Sequence, residues 1–324
     1  MTSNSSSSLD TMPKLVIEKI IAKSCWKSVL TLRKVCHRLR CQVDNVPEDL
    51  LPDAQMTEIS IVADDHQIRV ELESLDETHR ILYDITKYDS ESGCMLDMVV
   101  KDIGQVLRFQ KSPLKNFDVY ITLASTSKKV LSSQNQFIKT ESLRILSYES
   151  DQILFLLSLV DPAILKSIDI TNRDLSLPDF KPTEIVDTPQ WTNAKAVLTN
   201  INVPVQHLTH FSSVSIRGRR TFSVDDINFL KIEYANSPSF VSFKAPDSII
   251  TDAKRLQMLW RWPPVEHQGR KCWYFKMYPT TDEILLISLD SSFFTHKSTW
   301  DMSPGIEFSR IKPDQVPRLH YLKR

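Results

Sequence analysis

The spacing of apolar residues changes character three times along the chain. Across Met12–Asp44 it is helical. Val16 and Ile20, then Ile17 and Ile21, recur four apart and lay an apolar stripe on a first helix. Met12-Pro13 opens that helix, since a first turn has no use for the N–H that proline lacks. Val29, Leu32, Val35, Cys36 and Leu39 follow at spacings of three and four on a second helix, with Arg33, Lys34, His37 and Arg40 over the remaining surface. The segment falls short of the ~40 residues that usually sustain a core. Its two stripes therefore have to be covered by something else, either a partner or a larger core of the same chain. Val46–Pro52 reads as a linker with a short helical turn.

From Glu58 the pattern drops to period two. Glu58–Val62, Gln67–Leu72 and His79–Tyr83 alternate as half-buried strands do, with turn residues at Asp64–His66 and Ser74–Glu77, so an antiparallel meander is expected. Lys87–Gly93 is polar and reads as a loop. From Met95 helix and strand alternate. Met95, Met98, Val99, Ile103, Val106 and Leu107 form a helical stripe, and Lys115–Leu123 a strand. Strand cores recur at 143–146, 166–170, 196–198, 214–216 and 240–243, and the clearest intervening helices are Ser150–Leu159 and Val224–Glu233. Ser150 or Asp151 is the expected cap of the first, and Ser223 of the second.

Measured between Val119, Ile145, Ile168, Val197, Val214 and Val241, the steps are 26, 23, 29, 17 and 27 residues. Parallel strands need crossovers of about a dozen residues or more, and these steps provide them. One strand plus one helix per irregular unit fits a leucine-rich-repeat-like solenoid, and Leu165–Ile170 carries the L-x-x-L-x-L spacing with isoleucine substituting. Asn172 and Asn200, each just after a strand, suit a repeat turn. A doubly wound sheet is the competing architecture, although no strand leads into a Gly-rich phosphate turn. Period two returns at Lys271–Tyr278, Glu283–Asp290 and Ser292–Lys297, a meander able to cover the last repeat. Pro304–Arg324 is polar and Pro-interrupted and reads as a loose tail.

Composition narrows the function. Forty basic and forty acidic residues cancel in a chain of 324, which argues against nucleic-acid or membrane binding driven by bulk charge. Five cysteines (25, 36, 41, 94 and 272) are few and odd in number, as expected of buried thiols in a reducing compartment. The Ser-rich start has neither the basic nor the apolar region of a signal peptide, and no apolar run approaches the ~18 residues that span a bilayer. An intracellular protein, in cytoplasm or nucleus, is expected.

Two resemblances refine this. Met12-Pro13, the Ile17–Ile21 run IEKII and the Leu30–Cys36 run LTLRKVC resemble an F-box, which implies docking on a Skp-type adaptor and through it on a cullin–RING ubiquitin ligase. The stretch 143–245 is similar to the FTH domain, which commonly follows an F-box in the F-box A type family. The likeness is carried by Asp151–Leu154, Val160–Ile168, Gln190–Lys195 (QWTNAK), His207–Phe211 (HLTHF), Ser223–Ile227 and Ser237–Phe240.

The expected fold is thus α+β: a tail (1–11), F-box helices (12–48), a β meander (49–93), an FTH-type α/β repeat domain (94–265), a second meander (266–303) and a tail (304–324). The expected function is the substrate-recognition subunit of an SCF-type (Skp–cullin–F-box) E3 ligase, non-catalytic and without cofactor. The alternative is an interaction module that no longer engages a ligase. By the resemblance, Pro13, Val16, Ile17, Ile20, Ile21, Leu30, Leu32, Val35 and Cys36 would meet the adaptor. Arg217, Arg219 and Arg220 form the densest basic cluster, either a solvated loop or a site for an acidic or phosphorylated target protein. Trp260, Trp262, Trp273 and Phe275 are either partner anchors or core. His207 with His210, and Cys36 and Cys41 with His37, lack the further ligands a metal site needs, and no catalytic motif is present.

Overall fold

The computed structural model describes residues 12–64, 66–75, 77–84, 103–121, 137–173, 182–261, 263–279, 282–290 and 305–316. The expected tail at 1–11, the loop at 87–93, Met95, Met98 and Val99, the strand at 292–297, Cys94 and Trp262 lie outside them. The chain forms two compact units that divide at Glu141 and Ser142.

The first unit opens with α1 (Lys14–Lys23), α2 (Trp26–Val35) and α3 (His37–Asp44). The second helical stripe is therefore two helices rather than one. The break is at Cys36, whose backbone is extended and whose Sγ accepts from the Leu39 amide at 3.4 Å, capping α3. Three helices can bury what two cannot: Ile17, Ile21, Val29, Leu39 and Val43 are all inside. Arg33 clamps α2 to α3 through two bonds to the Asp44 carboxylate, at 2.6 and 3.1 Å. Arg108, just after a helical turn at residues 103–107, donates to the carbonyls of Asp44 and Val46.

The meander is as the alternation predicts: β1 (Met56–Ala63), β2 (Gln67–Ser74) and β3 (Thr78–Asp84) pair antiparallel in turn. β4 (Leu114–Ile121) lies parallel to β1, with Ile59 opposite Phe117 and Ile61 opposite Val119. The division expected at residue 93 thus moves to 141. The near-continuous burial of Phe117, Asp118 and Val119 in β4 fits an inner strand, and β1 supplies one of its neighbours.

In the second unit β5 (Thr140–Ser147), β6 (Ser167–Asn172), β7 (Ala196–Thr199), β8 (Ser213–Ile216) and β10 (Ser242–Ala245) are each parallel to the one before, in an order that never reverses. Short β9 (Thr221–Phe222) and β11 (Ile249–Ile250) pair with each other apart from this sheet. The crossovers contain helix Ser150–Ser158, the two helical turns Pro182–Val186 and Pro189–Asn193, a 3-10 turn at Val205–Leu208, and helix Val224–Asn236. Ser223 caps the last in a capping box with Asp226, as its sequence predicts. Neither Ser150 nor Asp151 caps the first; Glu149 stands at that position without a side-chain bond, both candidates lying already inside the helix. Asn200 reaches back to the turn after β6, donating to the Asn172 carbonyl at 2.6 Å and accepting from its amide at 2.8 Å.

The sheet ends in an antiparallel set: β12 (Val265–His267), β13 (Arg270–Lys276), β14 (Ile284–Asp290) and β15 (Ile306–Ile311). The stretch read as a loose tail contributes β15, which bridges β14 and β10. Ile306 and Phe308 alternate inward and are buried, and Phe308 meets Phe243 edge-on at 5.4 Å. Tyr234 stacks on Phe240 with centroids 4.0 Å apart, completing the aromatic core under β10.

Candidate protein-interaction surfaces

The three N-terminal helices sort the expected adaptor residues into two groups. Ile17 and Ile21 are sealed, the latter at 0% exposure, and belong to the core of the helices. They are not available to a partner. Pro13, Val16 and Val35 are exposed, Val35 at 65%, and Ile20, Leu30, Leu32 and Cys36 are half-buried. Leu15, not among the expected contacts, is also exposed. At the corner between α1 and α2, Trp26 meets His79 edge-on at 6.0 Å, while Lys27 forms an ion pair with Glu77. The Glu77 carboxylate also lies 3.1 Å from His79 Nε2. These contacts, with the Lys27 bond the largest cause, hold the Glu77 carboxyl below its ordinary range. The corner is thereby anchored on the turn between β2 and β3.

The parallel sheet covers one face with helices and leaves the other polar. Its strands alternate, with Leu143, Ile145, Ile168, Ile170, Val197, Val214 and Phe243 buried and their neighbours half-exposed or exposed, except for Asp169, which is buried. On the open face the register lines up Ser142, Ser167, Ala196, Ser213, Ser242 and Ser309 in one row across six strands. A second row, two residues on, runs Arg144, Asp169, Leu198, Ser215, Lys244, Glu307. The small row was legible in the chain: a serine or alanine directly precedes Leu143, Ile168, Val197, Val214 and Phe243. Sequence reasoning did not extract it, nor the charged row beside it.

The arginine cluster divides over this geometry. Arg217, just past β8, donates to Asp169 at 3.2 Å, and Asp169 also accepts from Arg144 Nε at 3.1 Å. One carboxylate thus holds two half-exposed arginines on the open face. Arg219 stands exposed in the loop after Gly218, whose φ of 77° suits glycine. Arg220 turns inward instead. Its guanidinium lies 4.6 Å over the Phe222 ring, and Nη2 donates to the Val203 carbonyl. Burial pulls its pKa down to about 10, with Asp226 opposing. Arg220 is a core residue and is corrected out of the surface set.

The remaining candidates are packing devices. The Trp191 indole donates to the His207 carbonyl at 3.1 Å, and His210 Nε2 donates to the Trp191 carbonyl at 3.0 Å. Gln190 donates to the Val160 carbonyl from a buried position. Thr188 caps the Pro189–Asn193 turn, accepting from the Trp191 amide. The QWTNAK and HLTHF stretches therefore interlock. Trp260 and Trp273 are buried, 5.0 Å apart and edge to face, and serve as core rather than anchors. Among the described residues no three His, Cys, Asp or Glu side chains come together as metal ligands. No helix among them is long and apolar enough to cross a membrane.

Comparison with known families meets this geometry. The FTH-domain family model matches residues 122–259. The match spans the parallel strands and the interlocked motifs, and supports a protein-interaction role for this segment. It does not reach residues 12–48. No curated protein and no solved structure matches the chain.

Proposed function

We infer that the chain is the substrate-recognition subunit of an SCF-type ubiquitin ligase. In this reading α1–α3 dock on a Skp-type adaptor, and through it on a cullin–RING assembly. The FTH segment holds a target protein. One observation carries it: the helices have filled their own core with Ile17, Ile21, Val29, Leu39 and Val43, yet Val16 and Val35 remain exposed ahead of an FTH match. Exposed apolar side chains on a small helical unit are what a partner would cover. The chain itself would be no enzyme. It would raise the effective concentration of target lysines at a conjugating enzyme carried by other subunits, in the cytoplasm, the nucleus or both.

A second reading, an interaction module that has left the ligase, draws on the α1–α2 corner. Trp26 is engaged there by His79 and Lys27, and Ser24-Cys25-Trp26 differs from the usual F-box loop. Co-expression with a Skp-type adaptor followed by size exclusion separates the two. A stoichiometric complex, lost in Leu32→Asp and Val35→Asp, supports the ligase subunit; a folded chain eluting alone supports the module.

A further inference from the structure

Helix Ala253–Trp260 in the second unit is built differently from the other long helix beside it. Helix Val224–Asn236 places Asp225 and Asp226 in its first turn, as the helix dipole favours. Helix Ala253–Trp260 has no acidic residue in its first turn and carries Lys254 and Arg255 there. Cations at that end work against the dipole, and the N-cap Asp252 makes no side-chain cap bond there, so local helix stability does not account for them. Ala253, Leu256 and Trp260 are buried, and the Trp260 indole donates to Asn228 at 3.2 Å, which fixes the helix on its neighbour. The outward side then presents Met258, 71% exposed, and Leu259, 46% exposed. Each lies one turn beyond a cation, Met258 after Lys254 and Leu259 after Arg255, with exposed Arg261 closing the end. Among the described residues no carboxylate lies within ion-pairing distance of Lys254, Arg255 or Arg261. On the open sheet face, by contrast, Arg144 and Arg217 share Asp169 and Lys244 faces Glu307 at 3.7 Å.

We propose that the outer face of helix Ala253–Trp260 is a docking surface for an acidic amphipathic helix of the target protein. The occupant follows from the charges. Three cations with no ion pair among the described residues, flanking two exposed apolar side chains, complement apolar anchors flanked by carboxylates, and methionine adapts its shape to whatever anchor it meets. At 1.5 Å per residue the helix presents about 12 Å, enough to lie along roughly two turns of a partner helix. An anionic membrane fits less well. Two apolar side chains are too few for the broad apolar face of an interfacial helix, and three cations alone bind such a surface weakly. The inference rests on the target-binding reading of the FTH segment and supplies its chemistry.

The test uses the full chain and a fluorescein-labelled synthetic helix with leucines at i, i+3, i+4 and i+7 and glutamates elsewhere. A counterpart with lysine for every glutamate, and phosphatidylserine–phosphatidylcholine vesicles, complete the probes. The glutamate peptide is expected to raise the anisotropy and the lysine peptide to leave it unchanged. The triple variant Lys254→Glu, Arg255→Glu, Arg261→Glu should weaken glutamate-peptide binding at least about tenfold. Met258→Ser with Leu259→Ser should weaken it as well. All these positions are exposed, so the melting temperatures should stay near wild type. Equal binding of both peptides, an indifferent triple variant, or charge-dependent binding to vesicles in place of the peptide overturns the proposal. The same preparations are assayed for adaptor co-elution. Peptide binding without co-elution removes the ligase reading and leaves this surface standing; co-elution without peptide binding does the reverse.

Discussion

His210 donates its Nε2 proton to the carbonyl of Trp191 at 3.0 Å, while the Trp191 indole donates to the carbonyl of His207. A carbonyl only accepts, so Nε2 carries the proton. The imidazole also lies against Phe211 with centroids 3.9 Å apart. Desolvation is the largest cause of a pKa below the ordinary histidine value, ahead of the opposing bond to Trp191. Well above about pH 6.5 the ring is neutral in both folded and unfolded chains. As the pH falls the unfolded chain takes the proton first, so stability is lost until the pH passes below the folded pKa. Thermal melts from pH 7.5 down to pH 5 should therefore fall less steeply for His210→Gln, which keeps a donor and does not titrate. Parallel slopes in the two proteins would remove His210 from the acid sensitivity.

Ile21 and Val35 are both apolar residues of the α1–α2 stripe, and only one of them can serve a partner. Ile21 is fully buried and Val35 is 65% exposed. Ile21→Asp places an unpaired carboxylate in the helical core and should cost about 3 kcal/mol or more. Val35→Asp should shift stability by less than about 0.5 kcal/mol. Denaturant titration measures both. In the ligase reading Val35→Asp nonetheless abolishes adaptor co-elution, which a folding defect would not explain.

Asp169 joins Arg144 to Arg217 across the four strands β5–β8, and the two guanidinium side chains are each half exposed. Solvent screening keeps such pairs near or below about 1 kcal/mol each. Asp169→Asn should destabilise by about 1 kcal/mol at low salt and by less in molar salt, where the Debye length shrinks to about 3 Å. A double-mutant cycle with Arg217→Gln should return a coupling of the same sign as the Arg144→Gln cycle. A loss that is indifferent to salt would point to strand packing rather than charge.

Elements were legible where periodicity alone decides them. β1 and β2 are a clean alternation, and Ser223 with Asp226 is a local cap signal that needs no tertiary contact. The misses all turn on tertiary choice. Val35-Cys36-His37 keeps helical spacing straight through the α2–α3 break, because the spacing says nothing of a backbone turned extended to let α3 fold back. Val16 and Ile20 repeat as faithfully as Ile17 and Ile21; which ridge is buried depends on the helix that packs against it. Arg217 and Arg220 are one residue type three positions apart, yet one reaches Asp169 on the open face and the other lies over Phe222. β15 hides in a polar, Pro-bounded stretch because only Ile306 and Phe308 are buried, and one of its partners, β10, is distant in sequence.

Cys25, at the N-cap of α2, has its Sγ 3.1 Å from the Ser28 hydroxyl. That bond is the largest cause holding its thiol pKa below the ordinary value, helped by the Ser28 and Lys27 amides and the Lys27 charge. Cys272 is buried in β13, and desolvation raises its pKa despite a bond with Ser288. The thiolate is the nucleophile, so under native conditions near neutral pH iodoacetamide should modify Cys25 well before Cys272, as read by peptide mass mapping. Ser28→Ala should slow Cys25 and leave Cys272 unchanged; equal rates at the two cysteines would contradict the geometry. Because Cys25 sits exposed between α1 and α2, its alkylation also reports on the adaptor. In the ligase reading, saturating adaptor covers this corner and slows Cys25 labelling in the wild type, while Val35→Asp restores the rate of the isolated chain.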